Sequence, residues 1–183
     1  GTCAFQNSGL TSINIPDTVT VIGDNAFNGC AALTALTHFS DKVTVIDNNT
    51  FKGTGLASIT IPKSVVTIGT GAFNGSKLTS VDFESGRTEA LTMKEGSSRS
   101  DGAFASCAEL LTVSNIPASL TVLPAYTFDN CAKLTSVTFE KGGTLGLAVN
   151  DSAFKGSAAN FVSITLPART SSVHAKAFTD KSA

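Results

Sequence analysis

Apolar residues recur along this chain in a two-part pattern. A leucine is followed by an alternating apolar pair, as in Leu10/Ile13/Ile15, Leu56/Ile59/Ile61 and Leu78/Val81/Phe83. After a short polar break comes a β-branched cluster closing on glycine, as in Val19-Thr20-Val21-Ile22-Gly23 and Val65-Val66-Thr67-Ile68-Gly69. An Ala-Phe or Thr-Phe pair ends each unit. Alternation is the period of a half-buried strand, and β-branched residues suit a pleated surface. Each unit therefore predicts a longer strand, a shorter strand on the opposite side, and one turn of helix or 3₁₀-helix that carries the Phe into a core.

The pattern is a repeat. Its phenylalanines are Phe5, Phe27, Phe51, Phe73, Phe104, Phe128, Phe154 and Phe178, at steps of 22, 24, 22, 31, 24, 26 and 24 residues. A unit this short cannot bury its own apolar edge, and only stacking on its neighbours does so. Coils of about 20–29 residues are those of leucine-rich-repeat solenoids. The expected fold is a right-handed solenoid of class α/β, rich in β, with about eight coils and one parallel sheet on one face. Short strands and one-turn helices are expected on the return side. The eight phenylalanines should form an internal column.

The apolar members of the longer strands point inward, so the residues between them point out. These are Ser12, Asn14, Ala35, Thr37, Ser58, Thr60, Ser80, Asp82, Thr112, Ser114, Ser136, Thr138, Ser163 and Thr165. Eleven of the fourteen are Ser or Thr, which makes a nearly uncharged array of hydroxyls. The candidate binding face is the part from Ser58 to Thr165. Such a face offers many weak hydrogen bonds to protein backbone or glycan. It lacks the Tyr, Trp and Arg that dominate binding hot spots, and it is equally the ordinary surface of a solvated sheet.

A second order lies above the single coil. Coils that end the first strand in proline (Pro16, Pro62, Pro117, Pro167) alternate with coils that end it in phenylalanine (Phe39, Phe83, Phe139). The 31-residue step carries extra polar residues around Lys94 to Gly102, read as an inserted loop at 94–102 exposed on the side of a single domain spanning 1–183. Such a loop is either simply tolerated or part of a binding face.

The string from Leu10 to Cys30, LTSINIPDTVTVIGDNAFNGC, returns at twelve of its 21 positions from Leu56 to Ser76. It resembles the BspA-like leucine-rich repeats of bacterial cell-surface proteins, over essentially the whole chain. The resemblance implies an exported, surface-attached adhesin that binds a host matrix protein such as fibronectin, a glycan or another bacterial surface. It carries no family-wide binding residue. The coils ending in Phe depart from the pattern by lacking the proline.

Composition narrows the alternatives. Charged residues are 15% of the chain, below the roughly 25% of an average domain. The net charge of −1 leaves no electrostatic footprint for nucleic acid. No apolar run reaches the ~20 residues of a membrane span. The chain opens and closes inside repeats, which suggests a segment of a longer protein, with any signal or anchor elsewhere. Open terminal coils also suggest end-to-end self-association.

Candidate chemistry is sparse. Cys30, Cys107 and Cys131 each lie three residues after a column Phe, where other coils have Ser8, Thr54, Ser76 and Ser157. That position wants a small semi-polar side chain, so packed thiols are expected; a disulfide between Cys107 and Cys131 is conceivable. His38 and His174 stand far apart with no obvious partner, and no nucleophile or metal-ligand motif occurs. No enzyme activity and no cofactor or metal is expected. A rigid spacer with no ligand is the competing reading.

Overall fold

The computed structural model describes residues 1–157, 161 and 164–179. The chain winds through β1 (Ser12–Ile15), β2 (Val21–Ile22), β3 (Ala35–Phe39), β4 (Val45–Ile46), β5 (Ser58–Ile61), β6 (Thr67–Ile68) and β7 (Ser80–Phe83). It continues through β8 (Thr92–Met93), β9 (Thr112–Ile116), β10 (Val122–Leu123), β11 (Ser136–Phe139), β12 (Leu147–Val149) and β13 (Thr170–Val173). All pairings are parallel. The result is a β-solenoid of about seven turns, slightly fewer than the expected eight.

The inward residues carry the core. Ile59, Ile61, Val81, Phe83, Val113, Ile116 and Val137 are buried, together with Leu33, Leu56, Leu78, Leu110 and Leu134 at the strand entries. The expected phenylalanine column is continuous through all eight rings. Successive centroids lie 5.0–5.5 Å apart and ring planes differ by 2–17°. That is within the offset-stacking range of aromatic pairs. Phe39 and Phe83 meet the next coil's column ring edge-on, Phe51 and Phe104 respectively.

The one-turn helices expected on the return side are absent among the described residues, apart from one 3₁₀ turn at Arg99–Asp101. Phe5, Phe27, Phe51, Phe73, Phe128 and Phe154 instead sit between two tight turns, with left-handed backbone two residues before the ring (Asn25, Asn49, Gly71 among them) and two after (Asn7, Gly29, Gly53 among them), whereas Phe104 has it only after, at Ser106. This conformation interrupts any helix, and Asn and Gly are the residues that tolerate it. It also aims every second N–H at the next coil. Asn25, Phe27 and Gly29 donate to the carbonyls of Asn48, Thr50 and Lys52, and the coils beyond repeat the scheme. The Phe turns thus form a third ladder between coils.

The face sheet is not the single sheet expected. Its strands fall into β1-β3 and β5-β7-β9-β11, and β3 does not pair with β5. Residues 164–167 form no strand beside β11. Both breaks fall where a coil ending in Phe meets the next coil ending in Pro. The step from a Pro coil to its Phe coil is always paired. Two such steps are fastened by a glutamate after the Phe: the amide N–H groups of Lys63 and Ala118 donate to Glu84 and Glu140.

Arginine adds a second fastening. Arg87 donates through Nη1 to the carbonyls of Lys63 and Val65, and through Nη2 to those of Ile61 and Pro62. The next Phe coil has Gly143 where an equivalent arginine would stand, and Arg169 reaches past it to the carbonyls of Leu120 and Pro117. A Cβ at Gly143 would press on the Arg169 side chain at 3.0 Å. Burial lowers the pKa of Arg87, opposed by the nearby Glu140 and Glu84.

The segment 94–102 runs along the return side. Lys94 Nζ lies 3.4 Å from Asp47 Oδ1, while Glu95 accepts from the Ala125 N–H and from Asn150 Nδ2. Asp101 gathers the hydroxyls of Ser97 and Ser98 on one carboxylate oxygen, which holds its pKa below the usual carboxylate range, Ser97 first.

Candidate functional site: the outward sheet face

The period of two that buries Ile59 and Ile61 turns Ser58 and Thr60 outward. Register between coils then lines these positions up. Ser58, Ser80, Thr112 and Ser136 form one row, and Thr60, Asp82 and Ser114 a second. With strands ~4.8 Å apart, the four-stranded part of the face is ~14 Å wide. Thr165 is exposed but stands on the unpaired stretch beyond β11. Ser163 lies outside the described residues.

The hydroxyls divide into two groups. Thr34, Thr79 and Thr135, at the strand entries, donate to the carbonyls of Thr11, Ala57 and Leu111 in the preceding coil. Thr37 and Ser114 do the same with Ile13 and Val81. These groups serve the stack. By contrast, among the described residues no hydrogen bond joins the side chains of Ser58, Thr60, Ser80, Thr112 or Ser136 to another part of the chain. Their donors and acceptors face solvent.

One residue of this face was not readable from alternation. Strand β9 is five residues long, and its inward residues Val113 and Ile116 are three apart, with a register shift against β11. The extra residue is Asn115, in left-handed backbone at φ +59°. Its Nδ2 donates to Asp82 Oδ1 at 2.9 Å, and its backbone N–H donates to Thr138 Oγ1 at 3.1 Å. Asn115 thus ties three strands across the second row and turns Asp82, the row's carboxylate, toward itself. The signal was a three-residue apolar spacing with an Asn inside it, the signature of a β-bulge. Strand β3 bulges in the same way between Leu36 and Phe39, and places His38 beside Asp17, Nε2 to Oδ1 2.7 Å.

Candidate chemistry elsewhere on the molecule stays dispersed. His174 lies 3.7 Å from Asp151 at the opposite end from His38. All four cysteines are free thiols. Cys30, Cys107 and Cys131 donate S–H to the carbonyls of Phe5, Phe73 and Phe104 in the preceding coil. Burial pushes the Cys107 thiol up to about 11 and raises that of Cys131 in the same direction. No helix of the described residues is long and apolar enough to cross a membrane.

Comparison with known proteins agrees with this architecture. None of the curated proteins matches the chain. A leucine-rich repeat protein from Bacteroides ovatus is similar in structure, with TM-score 0.75 and 28% identity over 98% of this chain and 44% of its own. One from Eubacterium ventriosum shares the fold, with TM-score 0.70 and 23% identity over 94% of this chain and 43% of its own. The chain thus spans less than half the length of these two solved structures. The model of the BspA type leucine rich repeat region matches in six copies over residues 1–93 and 97–183. The chain belongs to the BspA type leucine-rich repeat family.

Proposed function

We propose that this chain is a non-enzymatic binding module whose outward face, Ser58, Thr60, Ser80, Asp82, Thr112, Ser114, Ser136, Thr138, Ser163 and Thr165, takes a protein or glycan ligand. On this reading it is an adhesin segment of a bacterial cell-surface protein, acting outside the cell on a host matrix protein, a glycan or another bacterial surface. The carrying observation is the division of hydroxyls: those that close the stack are bonded to it, and five in register are left for a partner. The test is retention of fibronectin, glycans or bacterial cells by immobilised protein. Thr60, Thr112 and Thr138 changed together to Lys should abolish it, and retention unchanged by the triple change would remove this face from the account.

A rigid spacer is the second reading, favoured by the unbroken phenylalanine column, which stiffens the rod whatever its surface does. It is distinguished by the absence of any retained ligand. The isolated chain should also associate end to end, since Phe5 is 41% and Val21 49% exposed at the first coil. Sedimentation that does not change with concentration would argue against that association.

A further inference from the structure

The gap between β3 and β5 is a built feature. Both coils touch on either side of it. At one end a Cβ on Gly55 would lie 2.5 Å from the Ala31 carbonyl, and at the other Ser64 Oγ donates to the Val43 carbonyl and the Val66 N–H to that of Thr44. The return strands β4 and β6 pair, and the rings of Phe27, Phe51 and Phe73 stack without a break. Only the two face strands part, and nearly all Cα–Cα distances between them exceed 8 Å. Paired strands are ~4.8 Å apart, so a space of roughly two spacings is what one further strand requires.

The opening is a cleft of about 330 Å³ lined by Thr34, Ala35, Leu36, Phe39, Ser58, Ile59 and Thr60. No charged residue lines it. Its floor is apolar: Leu36 and Phe39 stay half-buried where Val81 and Phe83, their counterparts on β7, are fully buried. Its two walls are strand edges whose main-chain N–H and C=O groups pair with no neighbouring strand, regular along β5 and offset by the one-residue bulge along β3. A polypeptide backbone presents the complementary groups on both of its sides at that same period.

We propose that this cleft seats one short, uncharged, extended peptide segment of a partner protein, inserted between β3 and β5 so that the face becomes a continuous sheet. Its inward side chains are small and apolar, to meet Leu36 and Ile59, and its outward ones continue the hydroxyl face. Main-chain groups do the recognising, so the site does not depend on the hydroxyl rows binding anything.

The probe is the blocked peptide acetyl-Thr-Val-Thr-Val-Thr-amide, titrated into the whole chain and followed by amide chemical shifts. Saturable binding is expected at about millimolar concentration or tighter. Shifts and slowed exchange should be confined to Ala35–Phe39 and Ser58–Ile61. The N-methylated peptide should bind at least about tenfold more weakly, because it cannot donate to both edges. Ala35→Trp, on the exposed rim, should block the site without touching the core, whereas Thr112→Lys with Thr138→Lys should leave it intact while removing binding by the hydroxyl face. No saturable binding, equal binding of the N-methylated peptide, or shifts centred on β7 to β11 would each overturn the proposal.

Discussion

Phe73 and Phe104 are 31 residues apart in sequence, yet their rings stack with centroids 5.0 Å apart and planes within 2°. No pair in the column is closer or more nearly coplanar, and it spans the one irregular repeat. The extra residues are therefore absorbed outside the core, in the segment that runs along the return side. Phe104→Ala should cost about 3–5 kcal/mol, the range for deleting a buried ring that cannot be refilled. Phe5→Ala, at the exposed end, should cost about 1 kcal/mol. Equilibrium urea unfolding of the two variants checks the ranking; equal losses would mean the column does not carry the stack.

Arg87 satisfies four carbonyls of one Pro turn, at Ile61, Pro62, Lys63 and Val65. Arg87→Met leaves them without that partner, and a cost of about 2–3 kcal/mol is expected from hydrogen bonds to a charged donor. Arg87→Lys should recover only part of it, because an ammonium cannot fork across several acceptors. Thermal unfolding of the pair makes the comparison, and full rescue by Lys would show that charge alone is what matters.

The thiols should separate in reactivity. Cys3 is exposed, while Cys30, Cys107 and Cys131 are buried. Alkylation of the native protein near neutral pH should therefore label one cysteine quickly, and mass mapping should place the label on Cys3. The pH dependence has a definite sign. The folded Cys107 thiol keeps its proton up to about 11, against an ordinary 9.0. Above pH 9 the unfolded chain loses that proton first, so stability falls as pH rises from 9 to 11. Cys107→Ser should reduce the fall while keeping a hydroxyl donor for the Phe73 carbonyl. A fall of unchanged size would assign it to other groups.

The features legible in the sequence are those that repeat within one coil. The phenylalanines at near-constant steps announced the column, and the alternation in Leu56 to Ile61 gave both the buried Ile59 and Ile61 and the outward Ser58 and Thr60. What stayed hidden depends on contacts between coils. Nothing near Arg87 or Arg169 marks carbonyls one and two coils away as their partners. Asn115 was passed over because an extra residue in a strand shifts the alternation without erasing it. The turns around each Phe read as helical because their i→i+3 bonds are local, whereas the left-handed residues that break the helix, Asn25 and Asn49 among them, show only in three dimensions. The alternation of Pro and Phe coils was visible, but it does not by itself set the pairing: pairing is kept within each pair of coils, and between pairs it is lost from β3 to β5 and kept from β7 to β9.

The most direct test of the proposed binding face is its hydrogen-exchange footprint with fibronectin bound, read against the free chain. Protection is expected in Ser58–Ile61, Ser80–Phe83, Thr112–Ile116 and Ser136–Phe139, with the return strands and residues 94–102 unchanged. Protection centred on the return side, or binding with no protection of these four strands, would contradict it.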